Sequence, residues 1–75
     1  MKIKVRLLTG ATNSYTFEDG DTSANVKKKL RSKMGVEADQ IQLVFGGRVL
    51  NDEIKLNDAG VTEGAVIHAV LNLRG

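Results

Sequence analysis

The sequence predicts an α+β fold, a mixed sheet of four to five strands with one helix packed across it. Three observations carry that prediction. Apolar and polar residues alternate in the opening, middle and closing stretches of the chain. A single segment, Ser23 to Met34, spaces its apolar residues by about four instead. Strands and helix are segregated, not regularly interleaved, which argues α+β. No linker, repeat or low-complexity tract divides the 75 residues, and none of them is proline. One domain is expected, from Met1 to Gly75, with a flexible C-terminal tail from about residue 72.

The opening strand places Met1, Ile3, Val5 and Leu7 on one side and Lys2, Lys4 and Arg6 on the other, the period of a half-buried strand. Thr9-Gly10 is a turn signal. The strand after it puts Asn13, Tyr15 and Phe17 on one face, with Asn13 expected near the rim. Asp19-Gly20-Asp21 breaks that pattern, and Thr22 has the hydroxyl of an N-cap. Val26, Leu30 and Met34 then stack along one helical face, and Gly35 stands where a helix ends in a left-handed residue.

Ile41 to Phe45 returns to period two, with Ile41, Leu43 and Phe45 inward. Gly46-Gly47 turns the chain into a short strand from Arg48 to Leu50. Asn51 to Gly64 is polar and rich in turn formers, anchored by Ile54, Leu56 and Val61. The last strand, Ala65 to Leu73, sets Ala65, Ile67, Ala69, Leu71 and Leu73 on one side.

Composition excludes several functions. With no cysteine there is no disulfide framework, no thiolate zinc site and no cysteine nucleophile. His68 is the one histidine, so neither a metal cage nor a histidine dyad can be assembled around it. No catalytic residue, metal or cofactor is expected. No apolar run approaches the roughly 18–20 residues of a membrane span, and no cleavable leader opens the chain. Eleven Lys+Arg against nine Asp+Glu leave +2, a mild excess suiting a cytoplasmic or nuclear protein. The basic run Lys27 to Lys33 reads as a solvated helix face, because no aromatic lies within it to stack a base.

The last strand carries the functional clue. Its outward face should be polar yet reads Val66, His68, Val70 and Asn72, and Val44 also points away from the core. If the strand bearing Val44 lies beside the last strand, then Leu8, Val44, His68 and Val70 gather into one apolar patch. Contiguous exposed apolar surface marks a partner site; scattered surface valines are also normal on strands. The inside–outside reading further expects Leu43→Ala to damage the core while Val44→Ala costs within about 0.5 kcal/mol.

The whole chain resembles the ubiquitin superfamily without a gap. Leu8-Thr9-Gly10, Asp21-Thr22, Asn25-Val26-Lys27, Asp39-Gln40, Leu43, Phe45, Gly47, Asp52, Asp58 and Leu73-Arg74-Gly75 stand where that family has them. The resemblance implies the β-grasp fold. It also implies that Leu8, Val44, Gly47, His68 and Val70 form the partner-binding patch. Lys4, Asn51-Asp52-Glu53, Gly64 and Val66 lean toward the cullin-modifying Rub, or neddylation-type, branch. So does Asn72, since ubiquitin has arginine at that position and the Rub modifiers a small neutral residue, a difference that their activating enzymes read.

By the same resemblance Leu71, Asn72, Leu73, Arg74 and Gly75 form a conjugation tail. Its terminal glycine is adenylated, passed as a thioester between enzyme cysteines, and joined to a lysine amine of the target. Glycine admits the reacting carboxylate to a narrow channel, and Arg74 offers a guanidinium along it. The family's tail ends in two glycines where this sequence shows one, so either a further glycine follows or conjugation is not its task. Ala11, Arg48 and Glu63 replace the main chain-building lysines of ubiquitin, leaving Lys27, Lys29 and Lys33 as candidate acceptors. The implied partners are activating and conjugating enzymes, ligases, deconjugating proteases and ubiquitin-binding receptors, with no nucleic acid or membrane, and a monomer is expected. The alternative is a non-conjugated ubiquitin-like domain of a larger adaptor that docks to receptors or the proteasome, a reading to which Gln42 and Asn72 also lend themselves.

Overall fold

The structure, a computed structural model, describes residues 1–71. Strand β1 (Lys2–Leu7) turns into β2 (Thr12–Thr16), followed by helix α1 (Ser23–Met34) and a single 3-10 turn (Ala38–Gln40). Then come β3 (Ile41–Phe45), the two-residue β4 (Arg48–Val49) and β5 (Val66–Leu71). The five strands lie in the order β2-β1-β5-β3-β4. β1 and β5 run parallel at the centre and every other pair is antiparallel. This is the expected β-grasp, with a mixed sheet and one helix across its inner face.

Burial follows the period of each element. Ile3 and Val5, Leu43, and Ile67 and Ala69 point inward from three strands, and Val26 and Leu30 meet them from α1. Met1, Leu7, Tyr15 and Met34 are half-buried around that core, and Asn13 is exposed at the rim, as its polarity required. Phe17 is buried just beyond the end of β2. Its N–H donates to the Met1 carbonyl at 2.8 Å, while the Met1 ammonium donates to the Phe17 carbonyl at 2.6 Å.

The helix ends are satisfied by their surroundings. The N–H groups of Ser23 and Ala24 donate to the carbonyls of Ile54 (3.0 Å) and Asp52 (3.1 Å), so the loop after β4 closes the N-terminus of α1. Asn25 Oδ1 accepts both the N–H and the hydroxyl proton of Thr22, each at 2.9 Å. At the other end Gly35 has φ 70° and donates its N–H to the Arg31 carbonyl, the left-handed stop its residue type predicts.

Two boundaries and one burial differ from the sequence expectation. The last strand starts at Val66, because Ala65 donates to the Thr62 carbonyl (2.9 Å) in a turn. The strand after Gly46-Gly47 ends at Val49, although Leu50 is buried and donates to the Leu43 carbonyl at 2.8 Å. Leu71 is still in β5 but is 36% exposed, at the end of the sheet and not within the core. The placement of Leu73, and of the tail from residue 72 onward, lies outside the described residues. In the loop from 51 to 64, Leu56 and Val61 are buried as expected, joined by Ala59, while Ile54 is half-buried.

Candidate functional site

The register of the sheet assembles the patch. Val44 on β3 stands opposite His68 on β5, and Gln42 stands opposite Val70, so all four side chains share the helix-free face. The same row continues outward in both directions. Val49 on β4 pairs with Val44, and on the far side Arg6 of β1 pairs with His68. Val44 and Val70 are half-buried by their neighbours on the sheet, while His68 and Val49 stand exposed, Val49 by 54%. The patch is therefore a shallow apolar step running Val49, Val44, His68, and it gives way to a cation.

Gly47 positions that step. Gly46 and Gly47 have φ 63° and 80°, both left-handed, and they form the two-residue turn joining Phe45 to its ladder partner Arg48. Such a turn matches the twist of the strands it joins, and glycine is the residue that enters it without steric cost. It brings Val49 back against Val44.

Leu8 is 81% exposed in the turn between β1 and β2 and belongs to no ladder. With Leu7, Thr9, Met34, Ala69 and Leu71 it lines a depression of ≈ 100 Å³ at the end of the sheet. The register thus joins Val44, His68 and Val70 directly, whereas Leu8 neighbours Leu71 and Met34. Of the residues expected to form a conjugation tail, Leu71 is described, and Asn72, Leu73, Arg74 and Gly75 lie outside the described residues.

The three candidate acceptor lysines differ sharply. Lys27 is only 12% exposed at its side chain, and its Nζ donates to Asp52 Oδ1 at 2.5 Å. Lys29 donates to the Thr16 carbonyl at 3.0 Å, with its amine 5.1 Å from the centre of the Phe17 ring. Lys33 is exposed and makes no side-chain hydrogen bond or ion pair among the described residues. An acceptor amine must be reachable, and the geometry favours Lys33.

Two residues of this surface escape sequence reasoning. Val49 sits in a strand too short to show any period, and only its pairing with Val44 reveals which face it takes. Arg6 reads as one more outward charge until the parallel β1–β5 ladder sets it beside His68.

Known proteins resemble this chain over its whole length. The family model described as the ubiquitin family matches residues 3–74. The chain is 36% identical over 75 residues to the NEDD8-like protein RUB1 of Saccharomyces cerevisiae, covering 100% of this chain and 97% of that protein. It is 33% identical to the ubiquitin-like protein NEDD8 of Dictyostelium discoideum, also over 75 residues and with the same coverage of both. A 70-residue stretch is 30% identical to part of Ubiquilin from Dictyostelium discoideum, covering 93% of this chain but 13% of that longer protein.

Proposed function

Because this chain belongs to the ubiquitin family, we propose that it is a Rub-type protein modifier. Its C-terminal glycine is joined to lysines of target proteins, with cullin-like targets favoured, and partners read it through Val44, His68 and Val70. It is a substrate of activating and conjugating enzymes and carries out no catalysis itself. One observation carries this reading. Similarity to the NEDD8-like proteins takes in all 75 residues, and hence the segment Leu71 to Gly75 on which conjugation depends.

The chemistry asks little of the folded body. A rigid sheet end must present the segment after Leu71, and the apolar step must give an enzyme something to grip. Asn72 supports the Rub branch over ubiquitin. A neutral amide forms no ion pair with an activating enzyme built to read arginine, and it avoids the penalty set against arginine in the other enzyme.

The experiment is a charging assay on the protein extended by one glycine. With ATP and a Rub-type activating enzyme, the expected product is a thiol-sensitive adduct on the enzyme cysteine. The similarity to Ubiquilin supports a second reading, a docking domain that is never conjugated. That reading expects no adduct with either activating enzyme, together with retained binding to ubiquitin receptors.

A further inference from the structure

The nine acidic residues are Glu18, Asp19, Asp21, Glu37, Asp39, Asp52, Glu53, Asp58 and Glu63, and none of them lies in a strand. The strands instead carry Lys2, Lys4, Arg6 and Arg48. A face meant only for solubility mixes both signs. Here charge is segregated, with cations on the strands and α1 and the carboxylates in the loops and the 3-10 turn.

Three of those cations form a row. Lys2, Lys4 and Arg6 are alternate residues of β1, all exposed and all on the helix-free face, about 6.6 Å apart along the strand. That spacing is below the Debye length of about 8 Å at physiological salt, so their fields add. Each has a hydroxyl directly across the ladder on β2: Thr16 opposite Lys2, Ser14 opposite Lys4 and Thr12 opposite Arg6. On the other flank Lys4 meets Val66 and Arg6 meets His68, so the row borders the apolar step. None of the three cations has an ion-pair partner among the described residues. Glu63 accepts the Lys2 backbone N–H at 3.0 Å at one end of the row. Lys4 and Arg6 are left uncompensated.

We infer that the β1–β2 face, through Lys4 and Arg6 with Ser14 and Thr12, binds an extended acidic segment of a partner protein whose carboxylates occupy alternate positions. An extended peptide laid along β1 repeats its downward side chains at the same interval of about 6.6 Å. Each carboxylate then meets one cation and one hydroxyl donor. A nucleic acid has a phosphate repeat of comparable length but lacks a stacking platform here. Tyr15 faces the core side with its ladder partner Ile3, and Phe17 is buried. The inference does not rest on conjugation and would hold for a docking domain equally.

The test is an amide-resolved NMR titration of the full chain with two isomeric peptides. One has glutamates alternating with serines and the other has the same glutamates in one block. The alternating peptide is expected to shift the amides of β1 and β2 and to bind about fivefold more tightly than its isomer. It should weaken as salt rises. The exposed double variant Lys4→Gln with Arg6→Gln is expected to keep its melting temperature while losing about tenfold in affinity for that peptide. Equal affinity for the two isomers overturns the inference. So does the absence of binding, tighter binding of an oligothymidylate, or shifts centred on Lys28, Arg31 and Lys33 of α1. Failure of charging with peptide binding intact would count against the modifier reading alone.

Discussion

The amine of Lys27 lies 2.5 Å from the carboxylate of Asp52, joining the middle of α1 to the loop after β4. Lys27 is nearly enclosed, whereas Asp52 is 63% exposed at its side chain, so the pair is anchored from the helix side. To react at Lys27, an electrophile must break the pair and reach past the loop that also accepts the N–H groups of Ser23 and Ala24. Brief labelling of the native protein with an amine-reactive ester, followed by peptide mass spectrometry, should rank Lys33 fastest, Lys29 slower and Lys27 slowest. Replacing Asp52 with Asn should raise the rate at Lys27 and cost up to about 1 kcal/mol of stability.

Leu43 and Val44 are neighbours on opposite faces of β3. Leu43→Ala removes a wholly buried side chain and should cost about 2–5 kcal/mol in urea unfolding. Val44 is half-buried between its ladder partners Val49 and His68, so it is not the bare surface residue that its period alone implies. Its truncation to alanine should cost about 0.2–1 kcal/mol, the range of a cross-strand pair. A larger loss at Val44 than at Leu43 would mean the register is shifted by one residue.

The Ser23 hydroxyl is wholly buried at the start of α1 and has no hydrogen-bond partner among the described residues. An unpaired buried hydroxyl is costly, and alanine is also the better helix former. Ser23→Ala should therefore raise stability by up to about 1–2 kcal/mol, read as a higher melting temperature. A loss of stability would show that the hydroxyl is satisfied in solution.

His68 stands exposed in the middle of the row Val49, Val44, His68, Arg6, bounded by an apolar side chain on one side and a cation on the other. His68→Ala should leave thermal unfolding within about 0.5 kcal/mol of the parent. The same change should weaken binding to a ubiquitin-receptor domain by more than about 1 kcal/mol, measured by calorimetry. Unaltered binding would move the docking surface elsewhere, the end of the sheet around Leu8 and Leu71 being the next place to look.

What could be read from the sequence was local. Period two located β1, β3 and β5, a period near four located α1, and Gly35 and Gly46-Gly47 took the left-handed conformations their places demanded. Val44, His68 and Val70 were legible as outward apolar residues because each breaks the polar side of its strand. The rest depended on contacts far apart in the chain. Lys27 and Asp52 are 25 residues apart, and nothing near either one signals the pair. Ser23 is buried by the loop that returns from β4, and Leu8 sits in a turn whose direction no periodicity sets. Arg6 and Val49 acquire their neighbours only when β1 and β4 take their places in the sheet.

Under the proposed function, charging of the segment ending in Gly75 by a Rub-type activating enzyme depends on a neutral residue 72. This dependence is tested most directly by presenting the glycine-extended protein and its Asn72→Arg variant separately to Rub-type and ubiquitin-type activating enzymes with ATP, and comparing rates of adduct formation. Faster charging of the parent by the Rub-type enzyme is expected, with a shift of the variant toward the ubiquitin-type enzyme. Equal charging of the parent by both, or a preference for the ubiquitin-type enzyme that Asn72→Arg leaves unchanged, would contradict it.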